Sequence, residues 1–323
     1  MKFSNPIEED GLSEQINNIC GTSNSVFSNK EKVTKINNAL DRYFFLARKC
    51  SGKRIFDDHD NVNPPIETQN IVSGTNRYKF SAFISEIIDI LKLEALNENG
   101  YGYNLIPEDI NSLPASFEEL YLNANKAEGT PLYYCKYGDF IYLRPTPNYS
   151  ETSGLKIYFN RPIIKYAFVS FTVTTATNLI NATAHGLVAD KDAVIFETDG
   201  TIPGGITADT IVYYVIASEL TDDVFKVSTT IGGTAIDITD TGTGNHKFLK
   251  VSKEPGIPSI HHLYLARNAS LNYLIQKGLN KKNDLAIQIQ TDEKEIVNFF
   301  YSRNKDVKNI MTTAPIRGGR GWR

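Results

Sequence analysis

The sequence predicts an α+β fold: a helical bundle from N- and C-terminal helices with a small antiparallel β-sheet, plus an inserted all-β domain. Three observations carry this. Apolar residues recur at helical spacing near both ends of the chain. Alternating runs bounded by Pro and Gly fill the stretch from Lys53 to Pro162. Between Phe168 and Phe248 Thr, Ala, Gly, Ile and Val dominate, and Lys191, Lys226 and Lys247 are the only basic residues. A chain of 323 residues accommodates about two domains. With 41% hydrophobic and 22% charged residues it has the balance of an ordinary globular protein.

The first helix is expected over about Glu8 to Cys20, with Leu12, Ile16, Ile19 and Cys20 on one face and Gly21 as its stop. The second starts at Ser28, with Glu31 three residues on as a capping box. Val33, Ile36, Leu40, Tyr43, Phe44 and Ala47 then form one apolar stripe, and Ser51-Gly52 ends it. A stripe of that length needs partner helices to cover it.

Strands are expected around Phe140–Leu143 and Leu155–Phe159, punctuated by Gly138-Asp139, Pro145, Pro147 and Gly154. Residues Ser81 to Leu93 fit either a strand or a short helix. In the all-β stretch, strands are expected at 168–175, 193–198, 211–217, 224–229 and 235–239, separated by turn signals such as Asp199-Gly200 and Gly232-Gly233. The stretch starts and ends between elements of another domain, so it reads as an insertion. Helices resume after Pro258. Ile260, Leu263, Tyr264, Leu271, Leu274 and Ile275 keep the helical period up to Gly278. A last helix, about Lys281 to Arg303, turns Leu285, Ile289, Ile296, Phe299 and Phe300 inward. The expected division is 1–167 with 251–302, then the insert 168–250, then a tail 303–323.

The chemistry-bearing residues give no catalytic constellation and no metal or cofactor site. HExxH, CxxC, GxSxG and GxxxxGK[ST] are all missing from the sequence. Cys20, Cys50 and Cys135 have neither metal-ligand nor disulfide-framework spacing and are expected as free thiols. The N-terminus shows no apolar signal region, and no run approaches a membrane span. His261 and His262 point to different faces of a helix start and are expected to pack or hydrogen-bond in the bundle. Asp57-Asp58-His59-Asp60 has the composition of a cation cluster but reads as a solvated turn. Glu118-Glu119, as sequence neighbours, cannot both face one glycosidic bond.

Charge is unevenly spread. Six basic residues and one acidic residue lie between Tyr301 and Arg323, in a chain of net charge −3. Such a tail seeks a polyanion or an acidic protein surface. It ends in Arg317-Gly318-Gly319-Arg320-Gly321-Trp322-Arg323, and Trp322 is the single tryptophan. A lone Trp on an end segment suits an anchor that orders on binding.

Several strings in chain order resemble one family. They are Asn37-Asn38-Ala39-Leu40-Asp41-Arg42, Phe56-Asp57-Asp58, Ile71-Val72-Ser73-Gly74-Thr75-Asn76-Arg77-Tyr78, Gly129-Thr130-Pro131-Leu132-Tyr133-Tyr134, Gly138 to Pro145, Gly154 to Phe159, Glu254-Pro255-Gly256-Ile257-Pro258 and Tyr301 to Asp306. Together they resemble the head-to-tail connector adaptors (tail accessory factors) of short-tailed and crAss-like bacteriophages. Ala182 to Leu187, Tyr213-Tyr214-Val215, Phe225 to Ser228, Gly232 to Ile236, Thr239-Asp240 and Gly242-Thr243-Gly244 resemble a small β module found in phage tail and neck proteins.

The resemblance implies a non-enzymatic virion protein assembled in the host cytoplasm. It implies a homo-dodecameric ring docked on the portal protein on one side and on the next tail or neck protein or fibre on the other. Genomic double-stranded DNA would pass through the channel without sequence-specific binding. The connector/adaptor domain would be 1–167 with 251–302. Arg303, Lys305, Lys308, Arg317, Arg320, Trp322 and Arg323 occupy the position of the family's portal-binding segment. Two other classes compete: a phage cell-wall hydrolase, and a carbohydrate-binding tail component using Phe196, Tyr213 and Tyr214 of the 168–250 module. A poised acid–base pair would mark the first and exposed aromatic platforms the second.

Overall fold

The computed structural model describes residues 1–51, 64–83, 87–113, 115–122, 127–279 and 282–303. Helices and strands are mixed, as the α+β class requires. Contacts divide the chain into two units, Met1–Phe56 with Lys165–Arg323, and Asp57–Ile164. These cuts differ from the expected boundaries at 167/168 and 250/251, since they group the helices with residues 168–250.

The first unit contains α1 (Leu12–Cys20), α2 (Asn29–Ser51), α3 (His262–Lys277) and α4 (Lys282–Arg303). α1 packs on α3, α2 on α3 and α4, and α3 on α4. α1 starts later than expected, at Leu12, and stops at Gly21 with φ 62°. Ser28 Oγ accepts the Glu31 N–H at 3.3 Å at the start of α2. Val33, Ile36, Leu40, Tyr43 and Ala47 are buried along α2. On α4, Leu285, Ile289, Ile296 and Phe300 are buried. α3 departs from its expected stripe: Ile260 and Ile275 are exposed. Ile260 lies in a 3₁₀ turn, Ser259–His261, ahead of the helix, so it is out of register with the α-helical period. Gly278, at φ 68°, closes α3 by donating to Leu274 and Ile275 carbonyls.

The second unit is built from β1 (Ile66–Ile71), β2 (Arg77–Lys79), β3 (Asp89–Leu96), β4 (Gly102–Asn104), β5 (Ile106–Glu108), β6 (Glu128–Gly129), β7 (Tyr133–Tyr137), β8 (Phe140–Arg144), β9 (Thr146–Pro147) and β10 (Glu151–Asn160). Three sheets replace the single small antiparallel sheet expected: β1-β10-β3-β4, β2-β8-β7-β5 and β6-β9. β5 pairs with β7, and β6 with β9, in parallel. Parallel pairing needs a long crossover, and the segment between β5 and β7 supplies one, including a π-helical turn at Glu118–Leu122. β7 and β8 form a hairpin in which Tyr137 faces Phe140 and Gly138 takes φ 57°, as a two-residue type II′ turn requires. Leu93, Leu155, Ile157 and Phe159 centre the core. The strand-or-helix ambiguity of 81–93 resolves into a 3₁₀ turn at Phe80–Ala82 and then β3.

The all-β stretch closes into a six-stranded barrel: β11 (Val169–Thr174), β12 (Leu179–Asn181), β13 (Ala193–Thr198), β14 (Tyr213–Ile216), β15 (Val224–Ser228) and β16 (His246–Lys250), in the order β11-β12-β15-β14-β13-β16. Four of the five expected strands are present. Residues 235–239 form none, and β12 and β16 were not expected. Closure removes free sheet edges. The interior is aromatic: Phe171 lies 5.1 Å from Phe196, and Phe225 lies 5.3 Å from Phe248. Ile195 and Leu249, opposite one another on β13 and β16, alternate with that interior set and are still buried. The barrel wall there is covered from outside. The N-terminal segment runs past the end of β16, its Phe3 and Ser4 N–H groups donating to the Lys253 and Val251 carbonyls.

Candidate functional site

The tail candidates Lys305, Lys308, Arg317, Arg320, Trp322 and Arg323 lie outside the described residues. Arg303 is the last residue of α4. Asp57-Asp58-His59-Asp60 also lies outside them. Glu118 and Glu119 are exposed, on the π-helical turn. Phe196 and Tyr213 are buried inside the barrel and Tyr214 is half-buried, so Phe196 and Tyr213 offer no surface platform to a sugar. His261 and His262 are both buried. Tyr43 Oη and His261 Nδ1 lie 2.7 Å apart, and His262 Nε2 meets the Ile257 carbonyl at 2.9 Å. Burial holds the His261 imidazolium below its usual range, although Asp292 partly offsets this.

The helices carry a feature the sequence did not disclose. Neighbouring carboxylates on α4 reach different helices. Asp292 takes both its oxygens to Arg267 Nη1 on α3, at 2.7 and 2.8 Å. Glu293 holds Arg42 of α2 in a two-pronged pair, both contacts at 2.9 Å, and accepts from Tyr264 Oη at 3.3 Å. Arg42 holds Glu293 below the ordinary carboxylate range. These links fix α4 against α2 and α3.

Two open grooves flank α4. One, about 460 Å³, is lined by Ile19 of α1, Leu263 and Leu274 of α3, and Leu285 and Gln288 of α4. The other, about 490 Å³, is lined by Leu46 of α2 and by Gln290, Glu293, Lys294, Val297 and Asn298 of α4. At 100° per residue, their α4 linings lie roughly 160° apart around the helix axis. α4 therefore lines two different grooves on opposite faces, each mixing aliphatic with polar and charged side chains.

The barrel is joined to α2 by charge. Asp209 sits in a left-handed conformation, φ 60°, beyond β13. Its Oδ1 accepts the Asn29 N–H at 3.2 Å, and its carbonyl accepts Asn29 Nδ2 at 2.8 Å. A carboxylate thus caps the positive end of α2 from another part of the fold. Lys30 pairs with Glu197 of β13 at 2.8 Å. Burial raises the Asp209 pKa, with the Asn29 bonds opposing. Asp209→Ala is expected to lower stability by about 1 kcal/mol or somewhat more, through the lost cap and the poorer left-handed residue. Asp209→Asn, which keeps an acceptor and tolerates that conformation, should recover most of the loss. Denaturant midpoints of the three proteins check this.

Behind the joint, the Lys32 side chain is fully buried. Its ammonium donates to Ser13 Oγ at 3.0 Å and to Asn24 Oδ1, and lies 5.6 Å from the centre of the Phe27 ring. Burial pulls its pKa down to about 8, with Glu14 and Asp209 opposing. In the second unit the corresponding feature is Glu108. It binds Arg144 and accepts from Tyr121 Oη at 2.5 Å, while Arg144 stacks 4.6 Å from the Tyr133 ring centre. Both arrangements pair their charges with fixed neighbours.

Among the described residues no cluster of His, Cys, Asp and Glu could hold a metal ion, and no helix is long and apolar enough to cross a membrane. No family model matches the chain, and no curated protein matches it either.

Proposed function

We propose that this chain is a structural virion protein of a tailed bacteriophage, a head-to-tail adaptor. It forms a ring of twelve copies between the portal protein and the tail and continues the channel for the DNA. Its helices act as a bundle that forms the rigid wedge of the ring. Residues 168–250 are an inserted module on the outside, and 303–323 are the portal-binding tail. One observation carries the reading: α4, clamped by Arg42–Glu293 and Arg267–Asp292, lines two unlike grooves on opposite faces, one largely aliphatic beside α1 and α3 and one largely polar beside Leu46. A ring closes through heterologous contacts, in which one surface of each copy meets a different surface of the next. A net-negative body also suits a channel through which phosphate backbone must slide.

The test mixes purified full-length protein, and protein truncated after Tyr301, with portal rings, followed by size-exclusion chromatography with mass measurement. Twelve copies bound per portal by the full-length chain, and none by the truncated one, are expected. Full-length protein that leaves the portal bare would overturn the reading.

A further inference from the structure

The groove between α2 and α4 has an aliphatic floor and a cationic rim. Leu46 and Val297 form the floor. Ile287, two turns before Lys294 on the same line of α4, is 63% exposed. On the rim, Arg42 and Glu293 neutralise each other at 2.9 Å. Lys294, and Lys49 one turn beyond Leu46, are in no ion pair among the described residues. Two other acids of these helices face elsewhere. Asp41 is held by Lys165 at 2.8 Å, and Glu295 lies about 100° around the helix axis from Lys294. The groove is therefore net positive.

The complement of such a groove is an aliphatic side chain beside carboxylates, and the chain displays one. Ile7 is 70% exposed and is followed by Glu8, Glu9 and Asp10, all exposed. The turn that carries them has a fixed shape. Asn5 Nδ2 donates to Glu8 at 3.0 Å and to Asp10 at 2.7 Å, and the Glu9 N–H donates to the Asn5 carbonyl at 2.8 Å. Among the described residues none of the three carboxylates is in an ion pair. Asp190 of the barrel adds a fourth carboxylate beside this turn, against Lys2 and Lys191, so the turn is net negative. At 70% exposure Ile7 is not seated in the groove of its own chain, so the two surfaces meet between copies.

We propose that the Ile7–Asp10 turn of one copy seats in the α2–α4 groove of the next, with Ile7 on Leu46 and Val297 and the carboxylates on Lys49 and Lys294. The contact is heterologous: each copy gives its turn to one neighbour and its groove to the other, as a ring requires. The inference rests on the adaptor reading for the ring and names two surfaces that close it. Opposite charge fixes which surface meets which, and like charge opposes groove on groove and turn on turn. A contact this small is weak by itself and shows at high concentration.

Charge reversal in the full chain tests it. One variant carries Glu8→Lys with Glu9→Lys, the other Lys49→Glu with Lys294→Glu, all at exposed positions. Sedimentation velocity follows the mass upward from the 36.1 kDa monomer. The parent is expected to associate by about millimolar concentration, and less so at high salt. Each variant alone has like charge on both surfaces and should associate about tenfold more weakly, with circular dichroism unchanged. Ile7→Ser should weaken association as well, through the lost apolar contact. An equimolar mixture of the two charge variants, and the chain with all four substitutions, should recover it. A parent that stays monomeric at that concentration, variants that associate like the parent, or a mixture without recovery overturns the proposal. So does a groove variant that loses portal loading with self-association unchanged, since the groove then belongs to the portal. Both charge variants loading twelve copies on the portal as the parent does refutes this inference alone. Self-association restored by the mixture, beside a portal left bare by the parent, refutes the adaptor reading alone.

Discussion

Replacing Gly205 by Ala is expected to unfold the barrel under conditions in which replacing Gly186 by Ala does not. Both glycines hold positive φ, 92° at Gly205 and 59° at Gly186. A side chain at either position has to adopt a left-handed backbone, which costs about 1–2 kcal/mol. Their surroundings differ. A Cβ at Gly186 meets nothing within 4 Å, whereas a Cβ at Gly205 would lie 1.9 Å from the Asp237 carbonyl oxygen. That oxygen belongs to backbone, so relief requires the 236–239 strap to move. The strap is held at three points. Ile236 N–H donates to the Val227 carbonyl, Ile238 N–H to Asn178 Oδ1, and Thr239 N–H to the Gly204 carbonyl. Moving it breaks such bonds and uncovers Ile238, which is buried in the barrel core. Strain and overlap together make Gly205→Ala cost about 4 kcal/mol, against about 1 kcal/mol for Gly186→Ala. Hydrogen exchange of peptides spanning β13 to β16 reads the barrel's own stability. Similar exchange in the two variants would show that the strap yields easily and that this account of the barrel is wrong.

The same strap shows where sequence patterning stops being informative. Ala235 to Thr239 alternate like a strand, yet each N–H named above finds a different partner and no ladder forms. Alternation reports which side chains are buried, and Ile238 is buried; it does not report how the backbone is paired. β12, three residues long, is too short to leave a pattern. The long stripe of α2 was legible because its period runs over 23 residues. The α4 grooves were not, since each is made by residues from helices far apart in sequence. The roles of Asp292 and Glu293 leave no mark in the sequence, because nothing local says that Arg267 and Arg42 stand opposite them. The tail was legible as charge alone.

Lys32 is the residue that sequence reading most clearly missed, and its titration is expected to be visible in stability. An unfolded lysine titrates near 10.5, whereas burial lowers Lys32 to about 8 in the folded chain. Between these values the unfolded state binds more protons than the folded one, so stability rises with pH, by up to about 1.4 kcal/mol per unit. Below about pH 8 the ammonium is charged in both states and its burial penalty is present in full. Above about pH 10.5 it is gone. Across that window this one group should add about 3 kcal/mol. Lys32→Met removes the titration and keeps the volume. It leaves few orphans, because Asn24 Oδ1 still accepts from Asn17 Nδ2 at 2.9 Å, and Ser13 Oγ still donates to Asn29 Oδ1 at 3.1 Å. The variant should therefore be as stable as the parent, or more so, at pH 7, as when other buried charges give way to apolar groups of similar size. The parent should then overtake it as pH climbs from 8 to 10. Denaturant unfolding of both proteins at pH 7, 8, 9 and 10 gives the difference directly, with tyrosine titrations common to both cancelling. A difference that stays flat over that range would mean that the buried ammonium keeps its ordinary pKa. The turn between α1 and α2 would then stabilise the charge as well as water does, and Lys32 would be a fixed ionic pin of the helix–barrel joint.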